Sequence, residues 1–219
     1  FRTIKVGITS LLVYLISWFG WFNSSLGWDR NVKSNPFLSL LYYHKEMLNF
    51  HTSLTEKHTY QANPWSWLVM GRPTSFYYQS PKGCGVKDCA KEVLAIGTPI
   101  LWWIGAIAVL LLIGVNLHNL AMREFDSAAV IPMLGIIAGY LPWFFFQKRT
   151  VFTFYAIVFE PFLILALVLM AKMAYEYDER FKYLIGITVF IIAVNFMDFY
   201  PLFTGMTITY KEWYSHMWW

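Results

Sequence analysis

Between Leu94 and Val115 the chain carries no charged residue, and the same holds between Ser127 and Phe146. A helix rising ~1.5 Å per residue crosses the ~30 Å hydrocarbon core of a bilayer with about 20 such residues. In that core no water is at hand for backbone N–H and C=O groups, so a helix has to satisfy them itself. Two more stretches come close: Thr150–Ala171 contains one charge, and Tyr183–Tyr200 has one near its end. Val6–Phe22 is shorter and reaches back to Ile4 if Lys5 extends its amine towards the headgroups. Composition agrees, because 14% of residues are charged here against about 25% in soluble domains. The expected fold is an all-α integral membrane protein, a single membrane domain over residues 1–219 with about five transmembrane helices. They are expected at about 4–22, 94–116, 127–147, 150–172 and 182–200.

Positive charge then sets the topology. Arg2, Lys5, Arg123, Lys172, Arg180 and Lys182 flank the spans on one side, which the positive-inside rule assigns to the cytoplasm. The loop 23–93 and the tail 201–219 fall on the extracytoplasmic side of a plasma membrane. Lys148-Arg149 falls there too, in a turn too short to escape the rule, so this pair needs another reason to be outside. The net charge of +4 follows from these flanks, which face anionic membrane lipid; no nucleic-acid partner is expected. The chain opens on Phe1-Arg2-Thr3 and enters an apolar run at once, with no small-residue cleavage pattern after it. It is expected to be the C-terminal portion of a longer polypeptide.

The outer loop holds histidines at 44, 51 and 58, seven residues apart. Phe37, Leu40, Leu41, Met47, Leu48 and Leu54 recur at helical spacing between Pro36 and Thr55, with His44 and His51 on the same face. Seven residues separate two rings by ~10 Å along a helix, too far for one ion, and helical ligand pairs need i,i+3 or i,i+4 spacing. No metal site and no cofactor are expected. The segment reads as an amphipathic interfacial helix, followed by membrane-anchoring indoles at Trp65 and Trp67. His58 lies past its end. Cys84 and Cys89, four residues apart in an oxidising loop, are expected to form a disulfide, with two free thiols as the alternative.

Several strings recur in collinear order over nearly the whole chain. They are Ser17-Trp18-Phe19-Gly20-Trp21-Phe22, Gly27-Trp28-Asp29-Arg30, and His58-Thr59-Tyr60 with Pro64-Trp65-Ser66-Trp67. Gly71-Arg72-Pro73, Leu101-Trp102-Trp103, Leu141-Pro142-Trp143 with Arg149 and Phe152-Thr153-Phe154-Tyr155, and Asn195-Phe196 with Tyr200-Pro201 complete the set. Together they resemble the protein O-mannosyltransferases in their actinobacterial form. The resemblance implies the C-terminal half of a GT-C type glycosyltransferase that moves mannose from polyprenyl phosphate to Ser or Thr hydroxyls of secreted proteins. It implies as partners the polyprenyl-phosphate sugar donor, a secreted or translocating protein acceptor, and the secretion translocon. The family's catalytic carboxylate belongs to an Asp-Glu motif in an early outer loop. The pair Asp178-Glu179 is on the wrong side, so no catalytic residue is expected in this chain and the base is expected upstream.

When the sugar leaves, negative charge grows on the phosphate, and one well-placed donor is worth ~3 kcal/mol there. The acids of the outer loop are too scattered to hold a divalent ion, so cations are expected to take this role. Arg149 is the first candidate because its planar fork holds phosphate oxygens bidentately. Lys148, Arg72, His51 and His44 complete the expected donor-binding set. Glu160 reads as a carboxylate deep in the fourth span, and Asp198 as an interfacial residue within reach of Lys211. The competing readings are a non-catalytic membrane assembly partner and a transporter or channel subunit.

Overall fold

The computed structural model describes residues 2–218, which pack as two compact units, Phe1–Thr55 and Glu56–Trp219, where apolar periodicity alone suggests one domain. Hydropathy reports segments and is blind to how they pack.

The first unit contains α1 (Arg2–Ser17), α2 (Phe19–Asn23) and α3 (Pro36–Ser53). The span expected at 4–22 is interrupted at Trp18, whose backbone leaves the α region at φ −88°, ψ 4°. The break seats the Trp18 ring among Tyr14, Trp21, Tyr43 and His44. Helix α3 starts where its sequence says: the Asn35 side chain accepts from Phe37 N–H at 2.8 Å, and Pro36 occupies the first turn, which has no use for its missing donor.

The second unit begins with a 3₁₀ helix at Pro64–Val69 and strands β1 (Thr74–Gln79) and β2 (Cys89–Ala95). Then follow α4 (Pro99–Met122), α5 (Ser127–Tyr140) continued by a 3₁₀ turn at Leu141–Phe146, and a second such turn at Thr153–Val158. Helices α6 (Glu160–Tyr177) and α7 (Phe181–Thr204), strand β3 (Thr207–Thr209) and α8 (Tyr210–Ser215) complete it. Pro99–Met122, Ser127–Phe146 and Phe181–Thr204 are long and apolar enough to cross a membrane.

Two boundaries differ from expectation for stated reasons. Helix α4 begins at Pro99 and not near 94, because residues 89–95 are engaged in strand pairing. Helix α6 begins at Glu160, not near 150, and runs on to Tyr177. Pro161 fits the first helical turn, and the equally apolar residues before it form an extended piece and a 3₁₀ turn. Glu160 is thus the first residue of a helix, where a mid-span position was expected.

Helix α6 packs against both α4 and α5. Glycines permit the approach: a Cβ on Gly105 would lie 1.9 Å from Leu163 Cδ2, and one on Gly135 2.2 Å from Phe162 Cγ. The core around Trp102, Leu112, Phe159, Leu163 and Ala166 is continuous with Trp67 and Met70 of the 3₁₀ segment. Trp67 is fully buried, so of the two indoles expected at the interface only Trp65 is exposed. A 3₁₀ helix repeats every three residues, which turns Pro64 and Trp67 inward together.

An antiparallel sheet ordered β1-β2-β3 was not anticipated. Thr74 pairs with Ala95 at one edge, and Ala90 with Ile208 at the other, so the loop before α4 and the tail after α7 share one sheet. The tail is held further by Trp213, whose Nε1–H donates to the buried Glu92 carboxylate at 2.5 Å. Asp198 faces the tail as well; its Oδ2 lies 3.2 Å from His216 Nε2, and His216, not Lys211, is its partner.

Candidate functional site

The site grows from Trp67. Its indole N–H donates to the Ala62 carbonyl at 2.9 Å, which fixes the ring at the base of the 3₁₀ segment. Two rings from the α5 end of the unit meet it edge-on: Trp143 at 5.7 Å and Tyr155 at 6.2 Å between centroids. These two stack on each other at 4.7 Å and 28°. Trp143 is pinned from above by its own N–H, which donates to Gly139 O at 3.0 Å. The Arg149 guanidinium carbon lies 5.7 Å from the centroids of both Trp143 and Tyr155, within reach of a cation–π interaction with each. Arg149 is half-buried, while Lys148 beside it is exposed.

The chain around this pair is tied down by backbone hydrogen bonds. Thr150 Oγ1 donates to Glu56 O, and Ala62 N–H donates to Val151 O at 2.8 Å. His58 packs its ring on Phe152 at 5.2 Å, with its Nδ1 accepting from Tyr60 N–H at 3.1 Å. Arg72 closes the same layer: Nε and Nη2 both donate to Thr59 O, and the Arg72 carbonyl accepts from Thr153 Oγ1 at 2.7 Å. Two of the five Arg72 donors are therefore engaged in holding the 56–62 segment. Arg72 and the turn that carries Lys148 and Arg149 are thus tied to the same 56–62 segment, which also carries His58.

His44 and His51 belong to the first unit. The His44 Nδ1 lies 2.7 Å from Leu40 O and donates to it, which leaves Nε2 to accept from the Tyr14 hydroxyl. His44 thus bonds α3 to α1 inside an aromatic cluster. His51 is exposed and lines a cleft with Trp28, Asp29, Tyr43 and Glu46. In the second unit Glu160 lines a small cavity of about 190 Å³ together with Met70, Trp102, Thr153 and Phe154. Cys84 and Cys89 are joined in a disulfide at the tip of the β1–β2 hairpin. Among the described residues no group of His, Cys, Asp and Glu side chains is arranged to hold a metal ion.

Trp143 and Tyr155 were not singled out as site residues. They stand six residues either side of Arg149, a spacing that matches neither helix nor strand, because a 3₁₀ turn and an extended piece separate them.

The profile of the "C-terminal four TMM region of protein-O-mannosyltransferase" matches residues 36–219. The chain belongs to the protein O-mannosyltransferase family. It is 31% identical over 237 residues to the polyprenol-phosphate-mannose–protein mannosyltransferase of Mycolicibacterium smegmatis (strain ATCC 700084 / mc(2)155), covering 97% of this chain and 45% of that protein. The equivalent from Mycobacterium tuberculosis (strain ATCC 25618 / H37Rv) is 29% identical over 97% of this chain and 45% of its own length. That of Corynebacterium glutamicum is 28% identical over 96% and 45%. The chain therefore spans under half the length of these mannosyltransferases. In fold it is similar to the Saccharomyces cerevisiae protein O-mannosyltransferase Pmt1–Pmt2 complex bound to the sugar donor, with a TM-score of 0.61 at 24% identity over 80% of this chain and 25% of that one. Arg72, Lys148 and Arg149 all lie within the matched O-mannosyltransferase region.

Proposed function

We propose that this chain is the donor-handling C-terminal part of an enzyme carrying mannose from polyprenyl phosphate to Ser or Thr hydroxyls of secreted proteins. The observation that carries this reading is the match, over 97% of the chain, to proteins named for that donor and for protein mannosylation. Arg149, with Lys148 beside it, contacts the lipid phosphate and stabilises the charge that grows there as the sugar departs. Arg72 orders the neighbouring 56–62 segment and turns its remaining donors to the same phosphate. The carboxylate that activates the acceptor hydroxyl comes from the part of the enzyme that precedes this chain. No metal ion or organic cofactor takes part.

The enzyme resides in the plasma membrane, with the loop before α4, the Lys148-Arg149 turn and the tail outside. Support comes from their mutual contacts: Thr150 meets Glu56, and β2 pairs with β3, so these segments share one end of the helices. The acceptor polypeptide reaches that side from the translocon.

The test is transfer of labelled mannose from polyprenyl phosphate mannose to a threonine peptide by the full-length enzyme carrying Arg149→Ala. Turnover is expected to fall on the order of 10²-fold with normal expression. Near-normal turnover overturns the assignment of Arg149.

A further inference from the structure

His58, the last of the three evenly spaced histidines, stands in a tightly built turn. Its carbonyl accepts from Gln61 N–H at 3.0 Å, and the Gln61 side-chain oxygen accepts from His58 N–H at 3.2 Å. Tyr60 N–H donates to His58 Nδ1 at 3.1 Å, the i to i+2 bond that Asn and Asp side chains make in an Asx turn. Phe152 meets the imidazole edge-on at 5.2 Å, and the Tyr60 ring lies tilted beside it at 6.0 Å. One backbone donor and two aromatic neighbours thus fix where the ring sits.

They also fix where its proton sits. A backbone N–H only donates, so the nitrogen it meets carries a lone pair, and the ring proton belongs to Nε2. The two nitrogens lie on opposite sides of the ring, which directs Nε2–H away from the Tyr60 backbone. His58 is exposed, and among the described residues its Nε2 has no hydrogen-bond partner. In this form Nε2 gives a hydrogen bond and cannot take a proton. That rules His58 out as the base for an acceptor hydroxyl and suits it to an oxygen carrying negative charge.

A cation stands on the same turn. Arg72 Nε and Nη2 both donate to the carbonyl of Thr59, the residue after His58. Thr150 Oγ1 bonds to Glu56 O, and Ala62 N–H to Val151 O, so the segment is tied as well to the residues that follow Arg149. An anchored guanidinium draws an anion in, and a fixed neutral N–H adds direction. We propose that His58 contacts the lipid donor, its Nε2–H donating to a phosphate oxygen of the lipid-linked sugar, an inference that rests on the lipid-phosphate reading given above. The anomeric carbon exchanges its bond to the phosphate oxygen for one to the acceptor oxygen. The electron pair stays on the phosphate, the acceptor proton goes to the upstream carboxylate, and His58 keeps its own proton. Its hydrogen bond strengthens as the phosphate gains charge.

The experiment uses full-length enzyme, polyprenyl phosphate mannose, a threonine peptide, and polyprenyl phosphate as a product inhibitor. His58→Asn keeps an acceptor for Tyr60 N–H and removes the outer donor. It is expected to lower kcat/KM for the lipid about tenfold and to weaken inhibition by polyprenyl phosphate as much, with peptide KM and detergent Tm unchanged. His58→Gln carries an amide N–H out towards the Nε2 position and gives up the Tyr60 bond. It should keep the inhibition within about threefold of the parent while lowering the Tm. Equal losses in the two variants, or Asn behaving as the parent while Gln is impaired, mark a residue that only builds the turn and overturn the proposal. A loss shared equally by lipid and peptide overturns it too. Inhibition weakened by Arg149→Ala but not by His58→Asn removes the His58 contact and spares the donor site. If neither substitution weakens it, both fall.

Discussion

Asn195, in the middle of α7, accepts through its Oδ1 a hydrogen bond from the backbone N–H of Ile100, 3.0 Å away in the first turn of α4. Helices leave their first N–H groups without partners, and Pro99 already removes one of them. A side chain from another helix meets the next. Asn195 thereby fixes the start of one span against the body of another.

Asn195→Leu strands that donor in apolar surroundings. The expected cost is about 1–3 kcal/mol, seen as a fall in detergent Tm, while Asn195→Asp keeps the acceptor and loses less. Equal losses for the two variants would mean that the side chain fills space and does not cap.

Gly105 and Gly114 lie on the same helix in unlike surroundings. A Cβ at Gly105 meets the buried Leu163 at 1.9 Å, while one at Gly114 meets nothing within 4 Å. Gly105→Ala is expected to cost about 1–3 kcal/mol by overpacking, and trimming Leu163 to Ala in the same protein should recover part of it. Gly114→Ala should leave the Tm unchanged or slightly raised. Identical shifts at both positions would reject the close approach of α4 and α6.

The turn between α6 and α7 offers a pH test. Asp178 accepts from the Arg180 guanidinium, at 2.6 Å to Nη2, and from the Arg180 backbone N–H, at 2.9 Å, and these bonds hold its carboxyl below the usual carboxylate range. A group depressed in this way stabilises the fold above its unfolded pKa and loses that contribution as pH falls through the lower, folded value. Arg180 is exposed and Asp178 partly so, so solvent screens the pair and the overall Tm should scarcely respond at neutral pH. Arg180→Gln should raise the Asp178 titration midpoint in a carbon-detected NMR titration of labelled aspartate. An unmoved midpoint would show that the pair does not persist in solution.

The long helices were legible because charge-free runs of that length have few other uses. Pro36 marked one helix start, whereas Pro99 and Pro161, which also sit in first turns, were passed over when those spans were placed from about 94 and 150. The sheet was illegible for a specific reason. Strand β2 does alternate, burying Ala90, Glu92 and Leu94, but the middle member is a carboxylate, and only the distant Trp213 makes its burial tolerable. Strand β1 is mostly exposed and carries no alternation to read. The stretch before Glu160 failed differently: hydropathy cannot separate an α-helix from a 3₁₀ turn of the same residues. For the site, the misfit of Lys148-Arg149 with the charge rule drew attention to that turn. That Arg149 rests on rings six residues to either side depends on tertiary packing, which no local pattern encodes.

The pairing of β3 with β2 has a consequence for the tail. Strand β2 is the middle of the sheet only while Thr207–Thr209 lies beside it. A chain trimmed after Thr204 would leave the Cys89–Lys91 backbone as a naked border, ready to recruit any extended polypeptide passing by. Residues Thr207–Thr209 thus shield that border against clumping, and versions cut after Thr204 should precipitate before they melt.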